Sequence, residues 1–343
     1  MSDTIIIAQS VTIVNNGSAE KEESITQKWA NHKEMNLRVA RKMMKVGYEG
    51  RGYRMAECAT QLVYNYCPDC DQYTVARTNL CRDRFCPTCN WRLSLQRYIN
   101  MTRITDKLAD EYADAHYSFI TLTVRNCMPH ELSDTMNRMY EAWNRLMQRK
   151  IMIDERTGAA GWAKSIELTY NPITHTIHPH YHVLVVWKKR DIPKWGWSRA
   201  ENERYEEEVY QKHADQMLNA WVKSCEKSGL EAVIEAQNAQ SIHRKNNAGE
   251  SMAAAICETF KYAIKSKQLD EMPYKEFKIL VDEIGGKRMV AFGGIIKEIA
   301  AQIKVNMETI DDEGTAVCRH CGSMDVDRLV YRWAFGEGRY IRD

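Results

Sequence analysis

The chain has no apolar run near the roughly 20 residues that a membrane-spanning helix needs; its longest, such as Val183 to Trp187, stop far short. Ile5-Ile6-Ile7 lies near the start, but without the basic leader and extended apolar core of a secretory signal. These two absences point to an unexported, cytoplasmic protein. Internal repeats and a phosphate-cradling glycine loop are missing as well. Charge of one sign is not in excess: 48 Lys and Arg face 46 Asp and Glu, a net charge of +2. What is present is 343 residues at 44% hydrophobic, enough for one large or two modest domains with real cores. The 11 cysteines, in a chain that is not exported, indicate metal ligation or free thiols rather than disulfides.

The near-neutral total conceals uneven placement. Arg38, Arg41, Lys42, Lys45, Arg51 and Arg54 form one basic stretch, and Arg82, Arg84, Arg92, Arg97, Arg103 and Lys107 another, against Asp83 and Asp106. Local basicity of this kind is what phosphate contacts require, although solvated surface explains any single charge. Glu201 to Glu208 is acidic and reads as the solvated face of a helix.

His178-Pro179-His180-Tyr181-His182 opens a continuous apolar strand through Val186. Alternation along a strand puts His178, His180 and His182 on one face, with successive rings about 7 Å apart. Two such imidazoles can hold a divalent ion when a neighbouring strand supplies a third ligand. Lys164 to Tyr170 alternates and runs into Asn171-Pro172, so an antiparallel hairpin about residue 174 brings Glu167 opposite positions 180 to 182. Mixed nitrogen and oxygen ligands suit Mg²⁺ or Mn²⁺ rather than a closed structural zinc.

Cys67-Pro68-Asp69-Cys70 and Cys86-Pro87-Thr88-Cys89 are two C-x2-C knuckles separated by 15 residues, a spacing that matches a four-cysteine zinc module, with Cys81 as a fifth candidate. Arg82, Arg84, Arg92 and Arg97, in the adjoining basic segment, are the expected DNA-phosphate contacts. Cys318-Arg319-His320-Cys321 is a third knuckle without an obvious partner pair: half of a zinc site completed elsewhere, a dimer contact, or nothing. Cys58, Cys127, Cys225 and Cys257 read most simply as small buried side chains.

The remaining pattern predicts a polar, loose arm to about residue 30, a basic helix over 33–47, a helix over 91–112, a strand over 117–124 and an amphipathic helix over 132–151. Helices follow over 203–224 and 251–265, with a short strand over 232–236 between them. Antiparallel strands with packed helices make this an α+β chain. Four segments are expected: an arm with its basic helix (1–50), the cysteine module with a basic helix (51–112), a catalytic domain (113–300) and a tail carrying the third knuckle (301–343).

On the helix over 251–265, Glu258 and Tyr262 are four residues apart and share a face. A phenol with an ordinary pKa near 10 is a poor nucleophile at neutral pH, and a metal on the attacked phosphate with Lys261 or Lys265 nearby lowers that barrier. Taken alone, such a pair is more often amphipathic core.

Arg84 to Arg92, Phe119 to Cys127, Ala142 to Leu146, His178 to Leu184 and Glu258 to Lys265 together resemble, in order, the motifs of rolling-circle plasmid replication initiators. The likeness is to their group with one catalytic tyrosine and a nearby glutamate, within the His-hydrophobic-His (HUH) endonuclease superfamily. It implies a ferredoxin- or RRM-like domain whose central antiparallel sheet carries the metal, with the tyrosine helix above. It further implies that Tyr262 nicks the plasmid origin and stays joined to the 5′ phosphate, and that Glu258 directs the water that ends the cycle. His180 and His182 are similar to the metal pair, Glu167 is the expected third ligand, and His178 is left as a neighbour. Origin DNA, a host helicase and the replication machinery are the partners this implies; no membrane is involved. Related single-strand transposases and relaxases, and a non-enzymatic zinc-dependent DNA-binding regulator, are the alternatives.

Overall fold

A computed structural model describes residues 18–112, 116–154, 158–188, 196–242, 256, 259–260, 264–307, 310, 317–318 and 320–343. Among these are nine α-helices and two antiparallel sheets, so the expected α+β class holds. The chain divides into two units: the described parts of Arg97–Ile264 with Ile279–Met307, and those of Gln9–Gln96 with Lys265–Lys278 and Glu308–Asp343. Sequence order therefore does not separate the tail, because 308–343 folds with the cysteine segment.

In the cysteine unit, helix α1 (Ser18–Lys45) and helix α2 (Glu49–Glu57) precede a hairpin of β1 (Gln61–Cys67) and β2 (Gln72–Thr78). Helix α3 (Pro87–Glu111) begins here. The predicted loose arm to residue 30 is corrected over residues 18–30, which belong to α1; residues 1–17 lie outside the described residues. Trp29, Lys33, Asn36, Val39, Ala40 and Met43 recur at helical spacing and are all buried. Two members of that stripe are polar. Lys33 donates to the carbonyls of Ala56 and Cys58 at 2.5 and 2.6 Å, and Asn36 to that of Met55 at 2.6 Å. The last strands, β8 (Asp327–Ala334) and β9 (Arg339–Arg342), complete a sheet of order β2-β1-β8-β9.

The other unit is built on β3 (His116–Thr123), β4 (Ala159–Asn171), β5 (Thr176–Trp187), β6 (Asn238–Ile242) and β7 (Val290–Gly293), in the order β6-β3-β5-β4-β7. The strand expected at 232–236 lies further on: residues Ile234–Ala236 form a 3₁₀ turn, and β6 follows it. One face carries Trp162, Lys164, Ile166, Tyr181 and Val183. It is covered by α4 (Leu132–Met147), which is followed by the short α5 (Lys150–Ile153), and by α6 (Arg199–Lys227). Trp143 of α4 and Trp221 of α6 both meet the Tyr181 ring edge-on, with centroids 5.9 and 5.8 Å away. The opposite face carries Ala163, Leu184 and Val186. They pack with Met101, Ile104 and Leu108 of α3, with Ile256 and Phe260, and with the helix Gly294–Gln302 in one apolar cluster. None of the helices is long and apolar enough to cross a membrane, among the described residues.

Candidate functional site

The β4–β5 hairpin closes through Asn171, whose side-chain carbonyl accepts from the amides of Ile173 and Thr174. This turn sets a register in which Glu167 lies directly opposite His180, and Ser165 opposite His182. Because side chains alternate, all four project from the face that also carries Leu184 and Val186. The three metal-type side chains are buried, and their ligand atoms lie within 4.8 Å of one another. His182 Nε2 is 3.0 Å and His180 Nε2 3.6 Å from Glu167 Oε2.

Each ring is oriented from behind. His180 Nδ1 lies 3.3 Å from the His178 carbonyl, which can only accept, so that nitrogen carries a hydrogen and the ring is fixed with Nε2 toward Glu167. His182 Nδ1 meets the Thr121 hydroxyl at 3.3 Å, and its ring stacks on Phe119 at 5.5 Å. Burial by itself pulls the Glu167 carboxyl up, but hydrogen bonds and charge from His180 and His182 outweigh it and hold the group below the usual carboxylate range. A buried carboxylate and two imidazoles, once their Nε2 protons are displaced, form a donor set that a small divalent cation satisfies. His178 shares the face, its ring 5.1 Å from that of His180, but stands outside the ligand group; burial, and then the charge of His180, push it below the usual histidine range.

Glu258, Lys261 and Tyr262 lie outside the described residues. Their described neighbours are buried against this same face: Ile256 and Phe260 belong to its apolar cluster, and the Thr259 carbonyl accepts from the Ser165 hydroxyl. Lys265 immediately precedes the helix Ser266–Glu271.

The cysteine grouping of Cys67, Cys70, Cys86 and Cys89 is corrected. Cys67 ends β1, at the tip of the β1–β2 hairpin, whereas Cys58 and Cys81 flank its open end, where the Ala59 amide donates to the Asn79 carbonyl. Seven strand residues span about 23 Å, far too long for tip and base to share an ion. Two separate quartets form instead, Cys58/Cys81/Cys86/Cys89 and Cys67/Cys70/Cys318/Cys321. The second arises because β8 pairs with β1 so that Asp327 lies opposite Tyr66, carrying the third knuckle to the hairpin tip.

Neighbouring sulfurs are 3.5–3.6 Å apart in both quartets. A tetrahedron with Zn–S bonds of about 2.3 Å has edges of about 3.8 Å, so the sulfurs stand at nearly the spacing a zinc ion imposes. In the first, the amides of Cys81, Arg82 and Cys89 donate to the sulfurs of Cys58, Cys89 and Cys86. In the second, the amides of Cys321 and His320 hold the Cys318 thiol down to about 6. Cys58, first read as core, thus joins a ligand set. Its missing C-x2-C spacing hid it, and only the hairpin's closure reveals it.

The basic residues divide. Arg82 and Arg84 are exposed. Arg92 stacks over the rings of Trp29 and Trp91 at 5.3 and 5.8 Å, and Arg97 donates to the Met307 carbonyl at 2.8 Å.

A family model described as "Replication protein" matches residues 72–341. The chain belongs to the replication-protein family. Among its relatives, "Protein rep" of Streptococcus pneumoniae serotype 2 is 26% identical over 285 residues, 82% of each chain. "Protein rep" of Bacillus amyloliquefaciens is 27% identical over 291 residues (78% of this chain, 79% of that one), and "Protein rep" of Lentilactobacillus hilgardii 23% over 325 (91% and 94%). No solved structure matches the chain.

Proposed function

We propose that this replication protein initiates rolling-circle replication of a plasmid as a metal-dependent nicking and joining enzyme of the HUH type. The observation that carries this is the convergence of Glu167, His180 and His182 on the sheet face that also receives Thr259 and Phe260, which lie between Glu258 and Tyr262 in the chain.

In this reading the origin strand runs over the histidine face with its scissile phosphate at the ligand group. A divalent ion held by Glu167, His180 and His182 would neutralise charge on the phosphate oxygens. The Tyr262 oxygen attacks phosphorus, and its phenolic proton ends on the departing 3′ oxygen. The bond to the 3′ oxygen breaks, leaving a free 3′ hydroxyl and a 5′-phosphotyrosine. One ester replaces another, so the bond energy is conserved and the 3′ hydroxyl can prime synthesis. Lys261 and Lys265 offset negative charge near the phenolate. At termination Glu258 accepts a proton from water, whose oxygen displaces the tyrosine from phosphorus. The two cysteine quartets would hold Zn²⁺, which would fix the separate unit, and that unit offers Arg82 and Arg84 to the DNA backbone. Host helicase and replication proteins extend the freed end in the cytoplasm.

Incubation with single-stranded origin DNA and Mn²⁺ tests the reading. A covalent protein–DNA adduct should form and vanish in Tyr262→Phe, whereas Glu258→Gln should still nick but fail to terminate by hydrolysis. Binding without adduct or cleavage would instead describe a zinc-dependent DNA-binding regulator.

A further inference from the structure

The face of the sheet that points away from the histidines contains a feature the nicking chemistry does not use. A cavity of about 600 Å³ opens between α4 and the β4–β7 edge, within the 300–1,000 Å³ range of small-molecule sites. Its walls are the rings of Tyr140, Trp143, Trp162 and Tyr181, with Lys164, Arg288 and Asn144 as the polar groups. No carboxylate lines it among the described residues.

Two polar groups in it are left incomplete. Lys164 is only 6% exposed, and its ammonium sits over the rings of Tyr181, Trp143 and Tyr140 at 4.0, 4.7 and 5.2 Å, with no carboxylate or carbonyl in reach among the described residues. The Tyr181 hydroxyl is fully buried and has no hydrogen-bond partner among the described residues. Buried lysines are ordinarily paired, and buried hydroxyls ordinarily bonded, because each costs free energy otherwise. The close approach of the walls is also built in: a Cβ on Gly293 would collide with the Trp162 indole.

We propose that this cavity binds a nucleotide, its phosphate drawn to Lys164 and Arg288 and its base laid against the aromatic walls. The cations select an anion, the flat apolar rings select a planar body, and the absence of carboxylates excludes cationic ligands. A base on an aromatic ring contributes about 1–3 kcal/mol without sequence preference. Either a free nucleoside phosphate or one unpaired nucleotide of single-stranded DNA presents this chemistry.

The test is calorimetric titration of the full chain, without added divalent metal, with dTMP, with inorganic phosphate and with a short oligothymidylate. Expected is dTMP binding that phosphate alone does not match and that weakens at least about tenfold in Lys164→Met and in the exposed-rim variant Arg288→Ala, while His182→Ala leaves it unchanged. If the oligonucleotide displaces dTMP, and 5-iododeoxyuridine in it crosslinks to Trp162 or Tyr140, the occupant is DNA; if it does not, the occupant is a free nucleotide. Absence of dTMP binding, or binding that both Lys164→Met and Arg288→Ala retain, overturns the proposal. Since no cleavage is read, that failure would leave the nicking reading untouched.

Discussion

Glu167 and Lys164 are three residues apart on one strand, yet they meet burial in opposite ways. Both are nearly enclosed, at 7% and 6% exposure. On the histidine face, Glu167 has two imidazoles within 3.6 Å, and they hold its charge in place against desolvation. On the other face, Lys164 has only ring faces; burial, followed by the charge of Arg288, brings it down to about 7. Immersion in a protein thus does not by itself decide whether a charge survives. The partners that the register brings opposite do, and here a single alternating strand supplies both outcomes.

The cysteine quartets carry the same rule furthest, since several thiolates can share a small buried volume only around a cation. The largest effect is therefore expected there. Cys86→Ser, at a fully buried sulfur bonded to Asn36, should remove one of two zinc ions per chain and unfold the cysteine unit, because structural zinc contributes on the order of 10 kcal/mol to folding. Metal analysis and a thermal melt read both. A wild-type count of one zinc, or an unchanged melt in the variant, would break the parallel between thiolates and Glu167.

An intermediate effect is expected at the carboxylate. Glu167→Ala removes the charge both histidines face, and nicking of origin DNA should fall by about 10³-fold, on the order of 4 kcal/mol of barrier, with little change in melting temperature. Wild-type nicking rates in that variant would show that the pair of histidines suffices, and that Glu167 is held by them for stability alone.

How much of this could be read from the chain follows from the range of each interaction. The β4–β5 register was legible because Asn171-Pro172 marks the turn and alternation does the rest, so Glu167 falls opposite His180 as expected. The cysteine pairing was not, since Cys67 and Cys321 meet across 254 positions through strands β1 and β8, which carry no spacing signal. Helix α1 was foreshortened because Glu20 to Glu23 read as a solvated arm, whereas Lys21 pairs with Asp71 and the Glu22 carboxylate accepts from the Tyr331 hydroxyl. The cavity around Lys164 was invisible for a related reason: a lysine in an alternating strand reads as surface until its cross-strand and helical neighbours prove to be rings.

The smallest effect concerns Lys164 itself and comes with a sign. Its unfolded value is the ordinary 10.5, and the folded one is about 7. Between those values the unfolded chain holds a proton that the folded chain has released, so this group makes stability rise with pH from about 7 toward 10.5; below 7 the ammonium is buried at full cost. Tyr181 has the opposite sign: burial pushes it up, so it lowers stability only above its ordinary value of 10, and Cys225, pushed up to about 12, does so above 9. Both are present in Lys164→Met, so the difference between the two proteins isolates the lysine. Urea melts at pH 7 and pH 9 should show the wild type gaining roughly 1–2 kcal/mol relative to Lys164→Met, below the limit of about 2.7 kcal/mol that two pH units allow. Parallel pH dependence in the two proteins would mean that the ammonium keeps its charge on ring faces alone, and the contrast with Glu167 would then be one of partner chemistry rather than of partners present and absent.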